Sequence, residues 1–142
     1  MIDSIFNDIA PAQALGIEVK SWAGGRIELT APLAPNLNDK GTAFAGSVSS
    51  ILTLAGWAAI TLSLKEHGID ADVMVVTSET TYTAAIRDDL CAEAAIPSDE
   101  VGRIARELSD RGRSRVTLKS AIPTCVSMES SYAILRRKPS AA

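Results

Sequence analysis

The run Asn36-Leu-Asn-Asp-Lys-Gly-Thr-Ala-Phe-Ala-Gly46-Ser47 gathers two side-chain amides, one carboxylate and two glycines just before a long uncharged stretch. If that stretch is helical, its first backbone N–H groups have no intrahelical acceptor. With the helix dipole they can hold an anion, or the oxyanion that develops on a carbonyl under attack. The same residue types also build Asx turns and N-caps, so the residues alone leave both readings open.

Other chemistries are poorly served. His67 is the one histidine, which excludes His-pair metal sites and any mechanism needing two imidazoles. It lies in Lys65-Glu-His-Gly, the setting of an exposed helix C-terminus. A Ser-His-Asp triad lacks its usual frame, because no G-x-S-x-G elbow occurs. Cys91 and Cys125 have neither disulfide-scaffold count nor zinc-knuckle spacing and read as buried thiols, so no metal is expected. Fourteen Lys plus Arg against seventeen Asp plus Glu give a net charge of -3. Nucleic acid is therefore not an expected partner.

The elements that must position the junction follow from periodicity. Asp3 or Ser4 caps a short helix to about Ile9, which Pro11 interrupts. Ile17, Val19 and Ser21 alternate with polar residues, and Gly24-Gly25 leads into Arg26–Thr30, a period-two hairpin. The uncharged run predicts a helix from about Phe44 to Lys65, stopped by Glu66-His67-Gly68. Period two then returns in Asp72–Ala84, Leu90–Ile96, Ser114–Thr124 and Val126–Arg136. The polar connection Asp99–Asp110 can coil into a short helix ended by Gly112. The 142 residues have no linker or repeat, so one domain is expected, with a frayed tail from Lys138.

Gly41–Leu64 carries no charge and is long enough to span a bilayer, but its Ser and Thr residues predict a buried central helix instead. The acidic N-terminus lacks a secretory pattern, and a cytoplasmic protein is expected. Strand, strand, long helix, four strands is an α+β order whose economical solution wraps an antiparallel sheet around the helix. At 100° per residue Phe44, Val48, Ile51, Ala55 and Leu62 share the face expected to meet the sheet. Gly46, Ser49, Thr53 and Gly56 fall opposite, a small-residue stripe open to a second subunit or a thin ligand.

Pro35–Ser47, Leu54-Ala-Gly-Trp57, Thr80–Ala85 and Asp88-Asp-Leu90 together resemble the hotdog-fold thioesterases. The closer resemblance is to the thioesterase domain found at the C-terminal end of some GNAT-type acetyltransferases, the YiiD C-terminal type. It covers roughly residues 10 to 137. It implies a hotdog fold, dimers or tetramers paired through the long strand, an acyl-coenzyme A or acyl carrier protein thioester as substrate, and no cofactor. In the broader pattern an Asn and a Gly precede a His-Gly-Gly run, matched here by Asn38, Gly41 and Phe44-Ala45-Gly46. The Ala45 amide would then be the oxyanion donor, with Gly46 beside it.

The pattern's helix carboxylate falls at Thr53. Asp39 is then the first choice for the base, with Thr53 and Asn38 positioning water, or Glu79 from a second subunit, as alternatives. Asn36, Gly41, Phe44, Ser49 and Tyr82 are the expected substrate contacts. Phe44, standing where hotdog dehydratases carry histidine, disfavours that branch. Arg111, Arg113 and Arg115, and Arg136-Arg137-Lys138, are either coenzyme A phosphate contacts or solvated charges. The rival to a hydrolase is a non-catalytic acyl-thioester binding or assembly domain.

Overall fold

The polarity pattern turns from period two to an uncharged run and back, and the computed structural model, which describes residues 2–137, follows it. A short helix α1 (Ala10–Leu15) precedes the hairpin β1 (Glu18–Ala23) and β2 (Arg26–Ala31). Then come the long helix α2 (Ala45–Glu66), β3 (Ala71–Tyr82), β4 (Leu90–Ala95), α3 (Ser98–Arg111), β5 (Arg113–Ile122) and β6 (Val126–Arg136). The expected fraying from Lys138 lies outside the described residues. The six strands form one antiparallel sheet in the order β1-β2-β4-β5-β6-β3.

The sheet wraps α2, which packs against every strand from β2 to β6. Three consecutive helix residues, Ala58, Ala59 and Ile60, are fully buried, as a helix enclosed on nearly all sides requires. Alternate residues of β5 and β6, among them Val116, Leu118, Met128, Tyr132 and Ile134, supply the inner face of the sheet. α2 is long and apolar enough to cross a bilayer, yet 67% of its most apolar window is buried inside this fold.

Four sequence expectations shift. The short helix does not run from Asp3 to Ile9: a 3₁₀ turn covers Ile2–Ser4 and the helix begins at Ala10, because proline suits a first helical turn and Pro11 takes that place. The long strand ends at Tyr82 rather than Ala84, where Thr83 and Ala84 both donate N–H to the Cys125 carbonyl, at 2.7 and 3.1 Å. The unbroken period two expected of this strand is interrupted by a bulge between Val75 and Thr77, so that Glu79 sits opposite Glu129 on the outer face while Val75 shares the face of Tyr132.

The fourth shift concerns the small-residue stripe. Its second half faces the protein's own sheet: the Thr53 hydroxyl lies 3.7 Å from Met128 Sδ, and Gly56 lies against the Tyr132 phenol, while Gly46 meets the Phe44 ring. Phe44, assigned to the packing face, is instead the exposed residue that precedes the helix.

β4 pairs with β5 only at Glu93–Ala121 and Ala94–Ser120, leaving the first half of β5 without that neighbour. α3 fills the gap. Arg103 donates to the Arg115 carbonyl at 2.8 Å and is itself held by Glu100 and Glu107. The hydrogen bonds from Arg103 first, then Ser114, hold the Glu107 carboxyl down to about 2. At the other side of the sheet, β3 is an edge strand with Met74, Val75 and Val76 43–45% exposed.

Candidate active site

Asn38 builds the loop before α2. Its Oδ1 accepts from the N–H groups of Lys40 at 2.8 Å and Thr42 at 3.1 Å, while Nδ2 donates to Thr42 Oγ1 at 2.8 Å and the Ala43 carbonyl at 3.3 Å. Every polar atom of the side chain is thus spent on the turn. Gly41, at φ +76°, supplies the left-handed residue that this turn needs. Asn36 is 2% exposed and uses Nδ2 to tie the Leu15 and Pro32 carbonyls at 2.9 and 2.7 Å. Both asparagines therefore shape the loop.

The loop delivers the chain to the helix through two backbone bonds, Ala43 N–H to the Ile86 carbonyl at 2.9 Å and Phe44 N–H to the Asn36 carbonyl at 2.7 Å. Phe44 is extended and offers no side-chain cap. Among the described residues, no acceptor meets the N–H groups of Ala45, Gly46 or Ser47. The helix thus opens with three free donors and the positive end of its dipole. The Phe44 ring lies against Gly46, where any Cβ would meet it at 2.5 Å.

Beside this terminus is a cleft of about 290 Å³, lined by Ala43, Ala45, Val48, Ala84, Ala85 and Tyr82, among others. Its walls are mostly small and apolar. Tyr82, 51% exposed, donates its hydroxyl to the Ala45 carbonyl at 3.3 Å and borders the cleft. Of the residues singled out from sequence, Ala45 and Tyr82 line the cleft, with Gly46 next in the helix.

The others are placed differently. The Asp39 side chain is 83% exposed and pairs with Lys40 at 3.0 Å. Ser49 donates to the Gly46 carbonyl at 3.1 Å and Thr53 to the Ser49 carbonyl at 2.8 Å, so both hydroxyls are turned back onto the helix. Beneath Thr53 the buried Tyr132 phenol, pushed up to about 12 by burial, donates to the Thr53 carbonyl at 2.8 Å. Glu79 lies on the outer face of the sheet, away from α2.

Val48, Ala84 and Ala85 were not foreseen as site residues. Val48 was read only as a packing residue of the helix, and Ala84 and Ala85 only as part of a motif carrying the resemblance, because reading the strand through Ala84 hid the turn that puts them in the wall.

A strongly wrapped antiparallel sheet around one buried helix, open at that helix's N-terminus, defines the hotdog class. The description "Putative thioesterase (yiiD_Cterm)" belongs to the family model that matches residues 2–134, and the chain belongs to that family. A solved protein of unknown function from Chlorobaculum tepidum TLS is 30% identical, covering 96% of this chain and 93% of its own, with a TM-score of 0.90. A "putative thioesterase" from Shewanella oneidensis is 24% identical over 94% of both chains, TM-score 0.82. A thioesterase from Haemophilus influenzae shares 15% identity, covering 99% of this chain and 92% of its own, TM-score 0.71. The last two likenesses speak to fold alone.

Proposed function

We propose that this protein hydrolyses an acyl thioester carried by coenzyme A or an acyl carrier protein. The observation that carries the reading is the set of unpartnered N–H groups at Ala45, Gly46 and Ser47, opening beside an apolar cleft. The acyl chain lies along Ala84, Ala85 and Val48, and the carbonyl oxygen points at the Ala45 N–H. Water adds to the carbonyl carbon and gives up a proton, and negative charge moves to the oxygen that the N–H groups hold. Collapse breaks the C–S bond, the thiolate is protonated, and acid and free thiol leave.

Asp39, exposed and paired with Lys40 outside the cleft wall, is the base assigned in this reading, and Asn38 shapes the turn that carries it. Glu79 faces away from the helix within its own subunit, which disfavours it there. The protein acts as a dimer or tetramer: the twelve-residue β3 edge, with Met74, Val75 and Val76 exposed, is a pairing surface for a second copy.

One observation favours the rival reading, a non-catalytic acyl-thioester binding domain. The hydroxyl at the carboxylate position, Thr53, is bound to its own helix, and among the described residues no carboxylate lines the cleft. A panel of acyl thioesters of graded length on both carriers, with detection of free thiol, separates the two. Thiol release above background supports hydrolysis, and its absence with retained binding supports the rival.

A further inference from the structure

Arg113 and Arg115 stand on alternate positions of the outer face of β5, about 7 Å apart along the strand. Among the described residues neither has a carboxylate partner. Across the ladder they face Leu135 and Ala133, whereas Lys119 on the same row faces Glu129. Their neighbours Arg103 and Arg111 are committed to Glu107. All four arginines line one hollow of about 540 Å³ whose floor includes Ala133 and Leu135. Two uncommitted guanidinium groups over an apolar floor, in a chain of net charge -3, match a ligand with phosphates beside a flat apolar ring.

We infer that Arg113 and Arg115 bind the phosphorylated nucleoside end of an acyl-coenzyme A, its phosphates on the guanidinium groups and its base on Ala133 and Leu135. This rests on the thioester reading above and names the carrier. Leu135 also lines a groove with Val73, Met74 and Asp72 at the beginning of β3. Antiparallel pairing of β3 with the β3 of a second copy brings that beginning beside the end of the other strand, where the thioester cleft lies. From there to β5 is two strand spacings, roughly 10 Å, within reach of a pantetheine arm.

The test compares wild type with Arg113→Ala/Arg115→Ala, both positions being exposed. Calorimetry at low salt should show coenzyme A binding weakened on the order of tenfold or more in the variant. KM for an acyl-coenzyme A should rise in proportion with kcat unchanged, and an acyl-N-acetylcysteamine thioester, which has no phosphate, should be hydrolysed alike by both. The pair Arg113→Lys/Arg115→Lys should restore most of the affinity.

Equal affinity for coenzyme A in wild type and alanine variant would overturn the assignment. So would a KM rise confined to acyl carrier protein substrates, or adenosine 3′,5′-bisphosphate binding that does not compete with coenzyme A, which marks a free nucleotide. If wild type hydrolyses nothing while the variant still loses coenzyme A binding, the site stands and the hydrolase reading fails.

Discussion

Gly56 of the central helix lies directly against the Tyr132 hydroxyl, which donates to the Thr53 carbonyl one turn earlier at 2.8 Å. The helix and β6 approach this closely only because position 56 has no side chain. Gly56→Ala should therefore destabilise the fold by about 1–3 kcal/mol through overpacking, although alanine favours an isolated helix by about 1 kcal/mol. Urea denaturation measures the difference, and a Tyr132→Leu background should remove most of it. A Gly56→Ala variant as stable as wild type would mean that the contact is slack.

This contact also marks what the sequence conveys. Small residues at Gly46, Ser49, Thr53 and Gly56 signal close approach, and something does approach closely. The sequence could not say what, because a helix that is apolar nearly all round has no periodicity to tell sheet from subunit. Strand alternation in β5 and β6 was legible because each has one wet face. The bulge at Val75–Thr77 was not, since a string of β-branched residues reads the same in either parity. At the site, free N–H groups at Ala45 followed from a helix start without a capping side chain. The use of the Asn36 and Asn38 amides to tie neighbouring loop groups was not legible, since the same amides could equally face a ligand.

Glu107 ties α3 to β5 through Arg103, Arg111 and Ser114. Its carboxyl lies at about 2 in the fold against 4.5 for the free group, so its contribution is fully present above pH 4.5 and lost as pH falls toward 2. Glu107→Gln should lower the melting temperature at neutral pH and flatten the acid dependence across that window. Unchanged acid dependence would show that the cluster is too solvated to count.

The β3 edge predicts assembly. Light scattering at micromolar protein should exceed the 14.9 kDa of one chain, and Met74→Lys/Val76→Lys should return the mass to that value. A wild-type mass of one chain would remove the pairing surface from the account.

If Asp39 takes the proton from water, Asp39→Asn keeps the turn and should cut turnover by roughly 10²-fold or more with little change in KM. Undiminished turnover would assign the proton to solvent or to a second subunit.

The central claim is that the Ala45 N–H stabilises the oxyanion of a thioester undergoing hydrolysis. Proline is accommodated at the first helical position and Phe44 is already extended, at ψ 131°, so Ala45→Pro removes that N–H while keeping the helix start. Steady-state hydrolysis of the best acyl thioester by wild type and Ala45→Pro is the direct measurement. The account predicts thiol release by wild type and a loss on the order of 10²–10³ in kcat, with KM nearly unchanged, in a variant that melts like wild type. Equal kcat in the two proteins, or no thiol release by wild type at any acyl length, would contradict it.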